Sequence, residues 1–272
     1  MLTIVAMSGC VETTEGLVIA PIGRDEASGT REFFWEHVMN KGEFFDAMTV
    51  VASNAGIYQT VTTTRGAIGY VGLGYIDDNV KVLQINGVVP TVETILAGTY
   101  PIARDLNMFT NGEPTGITEE YLKFLLSDQG QAIVQEEGFV PVPSTGPYTI
   151  VEELSGSSIE IVGSTTVLPI ADRAAEEFNA LYAETLVTVK SGGSGTGISS
   201  VGQGASAIGM SSRELNANER TDYPELIKHV VGTDGIAVIV HPSNTYVDNL
   251  TMEELQAIYN GTIRNWNELE TS

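Results

Sequence analysis

Short β-branched runs in this chain repeatedly stop at turns of glycine, serine and threonine and pass straight into amphipathic helices. The run Ile159–Val162 ends in Gly163–Thr166 (GSTT). Pro169 then suits a first helical turn. Ile170, Ala174, Phe178 and Tyr182 recur at four-residue spacing, while Asp172, Glu176 and Glu177 fill the solvated face. Leu186–Val189 leads in the same way into Ser191–Gly197 (SGGSGTG), with Ile198 and Val201 opening the next helical turn. Val18–Ile22 leads into Arg24–Thr30 (RDEASGT) and a helix beginning near Arg31. A strand that ends in a small-residue turn and continues as a helix is the unit of an α/β protein, so α/β is expected rather than a sandwich or a bundle. Further strands are expected at Ala67–Val71, Val80–Ile85 and Ile236–Val240, and helices at Glu119–Leu126 after Thr118, Gln129–Glu137 and Met252–Tyr259. The last helix is framed by a capping box, Thr251 with Glu254, and stopped by Asn260 and Gly261. Pro143–Ser158, rich in Pro, Ser, Thr and Gly, reads as a surface connection.

The chemistry lies in the turns. Amides at a helix start lack intrahelical partners and sit at the positive end of the helix dipole, so a hydroxyl-rich helix start suits an anion. Ser164, Thr165 and Thr166 supply hydroxyls in the first turn. The glycines of SGGSGTG let backbone close around a ligand. That segment lacks the lysine of a P-loop and does not spell G-x-S-x-G, which makes Ser194 a donor rather than a nucleophile. RDEASGT adds a cation. Arg24 can bind two oxygens at once, Glu26 or Asp25 is placed to hold its guanidinium, and Ser28, Gly29 and Thr30 present donors. Taken singly, these turns also read as an ordinary N-cap, a flexible connection and a surface salt bridge beside a cap.

Charge narrows the ligand. Thirty-five acidic residues against 13 basic ones give the 272-residue chain a formal charge of -22, which argues against a nucleic acid partner. A small anion is compatible with that charge, because carboxylates beyond about 10 Å are screened by salt while local donors act at contact distance. His37, His229 and His241 lack metal-ligand spacing, and neither a metal nor a cofactor is expected. The single cysteine, Cys10, follows the apolar run Leu2–Met7 in the sequence Met7-Ser8-Gly9-Cys10. This is similar to the box before the lipidated cysteine of exported lipoproteins, although the basic start is missing and the apolar stretch is short; a plain N-terminal strand or tail is the other reading. No other run approaches the length of a membrane span.

Read together, the turns carry a resemblance. Residues 18–142 and 159–268 resemble the substrate-binding protein of phosphate ABC transporters through IVGSTTVLPIA, SGGSGTG, IGMSSREL, NLTMEELQAIYNGTIRNWNE and PIGRDEASGTREFF. The resemblance implies a two-lobed, type II periplasmic-binding-protein-like fold with mixed sheets, a hinge and a ligand cleft between the lobes. It implies binding of inorganic phosphate without catalysis, outside the cytoplasm, in partnership with a membrane permease. By the same resemblance the anion contacts fall on Thr165, Thr166, Ser194 and Ser212 from one lobe and on Arg24, Ser28, Gly29 and Thr30 from the other, with Ser164 and Glu26 in support. Many members carry an aspartate that accepts the phosphate proton where this chain has Ser212, which leaves selectivity among phosphate, arsenate and sulfate open. The neighbouring Arg213 reads as structural or surface-exposed. Two alternatives stand beside this reading: an oxyanion sensor that docks on a receptor, and a phosphatase-like enzyme, which would need a metal set or a nucleophile with its base.

The order of the motifs departs from the family, in which GSTT, the Ser/Gly loop and NWNE precede the RDEASGT loop. Here the last part comes first, so the chain resembles a circular permutation, with former ends joined through about Pro143–Ser158 and new ends opened between Asn267 and Leu17. One lobe is then expected to be contiguous over 88–236. The other combines 17–87 with 237–272 and carries both termini, and the crossings act as hinges. A monomer is expected, with a domain-swapped dimer as the alternative.

Overall fold

The computed structural model describes residues 16–151, 154, 158–182 and 184–269; Cys10 and the run before it lie outside them. In chain order the strands are β1 (Ala20–Arg24), β2 (Thr49–Val51), β3 (Ala67–Gly72), β4 (Lys81–Val82), β5 (Gln84–Ile85), β6 (Ala103–Asn111), β7 (Ser158–Gly163), β8 (Leu186–Ser191), β9 (Ile208–Ser211), β10 (Leu226–Val240) and β11 (Asn249–Leu250). The helices are α1 (Gly29–His37), α2 (Asn54–Thr63), α3 (Val92–Leu96), α4 (Gly116–Leu126), α5 (Asp128–Glu136), α6 (Leu168–Leu181), α7 (Ser194–Gly202), α8 (Ala217–Asp222) and α9 (Met252–Tyr259).

The architecture is α/β with a mixed sheet in the order β2-β1-β3-β10-β6-β9-β7-β8. Its two ends are parallel: β1 runs parallel to β2 and β3, and β7 parallel to β8 and β9. The middle is antiparallel. Fifteen-residue β10 pairs with β3 through Ile236–Val240 and with β6 through Leu226–Gly235, with a bulge between Val230 and Gly232.

Two apolar clusters flank this middle. One gathers Ile22, Phe34, Ile57, Tyr70, Ile239, Leu255, Tyr259 and Trp266; the other gathers Met108, Tyr121, Phe124, Ile161, Ile170, Phe178, Met210 and Val231. In the first, Phe34 stacks on Tyr70 at 4.1 Å and meets Tyr259 edge-on at 4.8 Å, while the Tyr259 hydroxyl donates to the carbonyl of Ile22 at 3.2 Å. In the second, Tyr121 and Phe124 meet Phe178 edge-on. Ile95, Tyr100 and Ile102 pack with the first cluster, so residues 88–102 go with the half that the sequence reading confined to 17–87 and 237–272. Passage between clusters occurs inside β6 and β10.

Several elements differ from expectation for identifiable reasons. The strand expected at Ile236–Val240 is the last third of β10, because Gly-Thr-Asp-Gly at 232–235, which looks like a turn, stays in the ladder. Strand β6 contains Arg104, Asp105 and Asn107 and so lacks an apolar signature. Val80–Ile85 is interrupted at Leu83, whose amide instead donates to the Val238 carbonyl. Helix α4 begins after Thr115 rather than Thr118, and α1 begins at Gly29 because Ser28 caps it, its hydroxyl accepting from the Arg31 amide at 3.2 Å. The capping box at Thr251 and Glu254 forms as expected.

Candidate functional site

Parallel strands that feed helices leave their small-residue turns at the strand C-terminal ends, and here those turns meet. Glycine makes the meeting possible. Gly193, at φ 87°, caps α7, and a Cβ on it would lie 2.6 Å from the Ala27 carbonyl. That carbonyl accepts a hydrogen bond from the Gly195 amide at 3.1 Å, so the SGGSGTG turn docks by backbone on the RDEASGT turn. Beside it, Gly29 faces Ser194 so closely that a Cβ would overlap the serine hydroxyl.

The expected contact residues converge and are buried. Arg24, Ser28, Thr30, Ser164, Thr165, Thr166, Ser194 and Ser212 are all shielded from solvent, and Gly29 is buried in the first turn of α1. Thr30 and Thr166, from turns far apart in sequence, pair through their hydroxyls at 3.2 Å. Ser194 Oγ accepts from the Ser212 amide at 3.1 Å and lies 3.4 Å from Ser212 Oγ. Ser164 serves the backbone: its hydroxyl accepts from the Thr166 amide at 3.2 Å. The carbonyl of Thr165 is fixed by the Tyr75 hydroxyl at 2.6 Å.

Arg24 is held differently from expectation. Glu26 is exposed and makes no hydrogen bond to it among the described residues; the Ala52 carbonyl accepts from Arg24 Nη2 at 2.8 Å instead. Backbone donates less charge compensation than a carboxylate, so the guanidinium keeps its positive charge for another partner. Its Nε and Nη1 are buried without hydrogen-bond partners among the described residues. Burial, with a further push from Arg104, lowers its pKa from the ordinary value, while Asp25 opposes the shift. A guanidinium does not deprotonate in proteins, so the two unpartnered donors suit an anionic acceptor.

Sequence reasoning missed a second charged group. Arg104, on β6, is bound by Asp234 of β10 through Nε at 3.1 Å and Nη2 at 2.8 Å, both side chains being fully buried. The same Nη2 reaches Thr30 Oγ1 at 3.0 Å and Thr166 Oγ1 at 3.2 Å. Asp234 also accepts from the Leu73 amide at 2.8 Å. Burial raises the Asp234 carboxyl above its ordinary value, against the pull of Arg104 and of that amide. Asn54, first residue of α2, completes the group by donating to Thr166 Oγ1 at 2.9 Å.

Other candidate features fall away from this centre. Arg213 is structural, bridging Glu32 and Glu219 at 2.5 and 2.7 Å. His37 stacks on Phe33, His229 pairs with Thr110, and His241 pairs with Ser243; no group of potential metal ligands occurs among the described residues. A groove of about 830 Å³ shares Arg104 with this centre and is lined by charges of both signs, Glu32, Glu36, Asp105 and Glu214 against Lys41, Arg104, Arg213 and Arg220. No helix among the described residues is long and apolar enough to cross a membrane.

Comparison with known proteins shows the family. The family model described as "PBP superfamily domain" matches residues 12–129 and 149–272. Phosphate-binding protein PstS 2 of Streptococcus agalactiae is 34% identical over 258 residues, spanning 91% of this chain and 86% of that protein. Phosphate-binding protein PstS of Bacillus subtilis is 36% identical over 126 residues, 46% of this chain. The crystal structure of a phosphate-binding protein of a phosphate ABC transporter from Streptococcus pneumoniae superposes with a TM-score of 0.75 at 30% identity, covering 93% of this chain and all of that one. The chain therefore belongs to the PBP superfamily domain family and is a relative of the PstS phosphate-binding proteins.

Proposed function

We propose that this chain binds inorganic phosphate reversibly as the solute-binding component of a phosphate ABC transporter, delivering it to a membrane permease. One observation carries the reading: the starts of α1 and α7 and the turn before α6 come together through Thr30–Thr166 and Ala27–Gly195, and the buried guanidinium of Arg24, at the end of the strand that leads into α1, keeps two nitrogens without partners among the described residues. Removing an anion from water is costly unless donors replace its hydration. Charge-assisted hydrogen bonds contribute about 1.5–3 kcal/mol each, so a few of them with neutral hydroxyls and amides support micromolar affinity, about 8 kcal/mol, after the cost of closure. The ligand contacts in this reading are Arg24, Ser28, Gly29, Thr30, Thr165, Thr166, Ser194 and Ser212.

The two apolar clusters are the lobes in this reading, and the ligand favours their closed arrangement because it touches both. Catalysis has no part in this reading, which is supported by relatives named as phosphate-binding proteins. The protein works outside the cytoplasm, with Cys10 as its lipid attachment point. A circularly permuted order relative to the usual motif order of the family is supported by the closeness of the two chain ends, the Trp266 amide donating to the Leu17 carbonyl at 3.0 Å.

Titration calorimetry on ligand-free protein with phosphate, arsenate, sulfate and molybdate tests the binding. Saturable heat with phosphate is expected. Absence of heat with phosphate would end the proposal, and turnover of a phosphomonoester would replace it with an enzyme.

A further inference from the structure

Four buried polar atoms of the polar residues described above lack protein partners among the described residues: Arg24 Nε and Nη1, and, beside the Thr30–Thr166 contact, Arg104 Nη1 and Asn54 Oδ1. Three are donors on two guanidiniums and one is an acceptor on a neutral amide. The two threonines tie the Arg104 and Asn54 atoms to one place, because Arg104 Nη2 touches both hydroxyls and Asn54 Nδ2 touches that of Thr166. The site carboxylate is no free acceptor. Asp234 gives one oxygen to Arg104 and the other to the Leu73 amide. Ser212 Oγ already has the Ser194 hydroxyl beside it at 3.4 Å. Asn54 Oδ1 has no such neighbour.

We propose that Arg104 is a second anion-contacting cation of the phosphate site and that Asn54 Oδ1 accepts a hydrogen bond from the ligand's hydroxyl, so the site selects a singly protonated tetrahedral dianion over sulfate through an amide rather than a carboxylate. This rests on the phosphate-binding reading above and specifies what reads the anion. Two guanidiniums against Asp234 leave one net positive charge in a buried setting, which a dianion overcompensates only modestly. The remaining charge falls on hydroxyls and helix-start amides. Sulfate has no proton to give Asn54, so its binding would leave a buried acceptor facing an anionic oxygen. An uncompensated buried acceptor is an effective discriminator because its desolvation is not repaid.

Calorimetry on the whole chain and three variants, with phosphate and sulfate at pH 7, tests the assignment. Asn54→Ala is expected to weaken phosphate by roughly 10-fold, the upper range for one neutral hydrogen bond, and to leave sulfate unchanged or bound more tightly, so that the preference narrows. Ser212→Ala should leave the preference unchanged. Arg104→Gln should weaken both anions by roughly 10- to 150-fold. Because that change strands Asp234, the double variant Arg104→Gln/Asp234→Asn, checked by thermal melting, separates loss of binding from loss of fold. Equal losses for both anions in Asn54→Ala would mean that the amide presents its NH₂ group, and would overturn the acceptor role. A narrowed preference in Ser212→Ala alone would also overturn it, and unchanged affinity in a folded double variant would remove Arg104 from the site. If the wild-type chain binds no phosphate, the functional reading itself falls. Wild-type binding with unaffected variants defeats only this inference.

Discussion

The two sides of the site are built from different materials. One side, Arg24, Ser28–Thr30 and Asn54, contains a guanidinium. The other, Ser164–Thr166, Ser194 and Ser212, offers only hydroxyls and amides. Arg104 and Asp234 stand between them, on the strands shared by both clusters. Charge is therefore concentrated on one side and in the middle, while the opposite side contributes by the number and fit of neutral dipoles. Affinity for any anion should depend on the first, and completeness of closure on the second.

The strongest way to break this contrast is Arg24→Ala. It removes two unpartnered donors and is expected to weaken phosphate by about 10²- to 10⁴-fold in calorimetry with the melting temperature retained. A loss below 10-fold would mean that charge is not concentrated there. Next comes Gly29→Ala, which adds no charge change but wedges a methyl group against Ser194, 2.7 Å from its Cβ. Overpacking of this kind costs about 1–3 kcal/mol, or roughly 5- to 150-fold in affinity, and small-angle scattering with phosphate should show less compaction than in the wild type. Ser194→Ala samples the neutral side by removing the acceptor of the Ser212 amide; a loss of roughly 2- to 12-fold is expected. A loss as large as that of Arg24→Ala would erase the distinction between the sides.

The smallest effect comes from outside the site. Burial lowers the His229 pKa below its ordinary value of 6.5, with Glu113 opposing. The unfolded chain therefore takes up the proton first. The contribution is present above 6.5 and is lost as pH falls through the lower folded value. Melting temperature should drop between pH 7 and 5 slightly more for the wild type than for His229→Gln, with phosphate affinity at pH 7 the same in both.

The same contrast explains what was readable in the sequence. The candidate turns GSTT, SGGSGTG and RDEASGT stand out because each combines turn chemistry, a helix start and glycine within a few consecutive positions. Helix α9, with its cap and stop signals, was readable for the same reason. The middle was not. Arg104 lies in a strand whose polar residues hide its period, and Asp234 sits between two glycines in a segment that looks like a turn. Each is intelligible only when the other is adjacent, which the sequence does not display. Asn54 reads as an ordinary helix start after Ser53 until its partner Thr166 arrives from the other end of the chain. Glu26 misled by proximity: it is near Arg24 in sequence, but its exposed position leaves the guanidinium to the Ala52 carbonyl.

The antiparallel pair β6 and β10 belongs to both apolar clusters. Two strands laced by consecutive hydrogen bonds cannot slip along each other without breaking the whole ladder and turning every side chain to the wrong face. They can twist and bend, most readily where the bulge between Val230 and Gly232 already interrupts the lacing. In the proposed closure the pair would act as a torsion bar, permitting rotation of one core against the other and opposing translation. Each return to the closed arrangement would bring Thr30 back to Thr166, and Ala27 back to Gly195, in unchanged register.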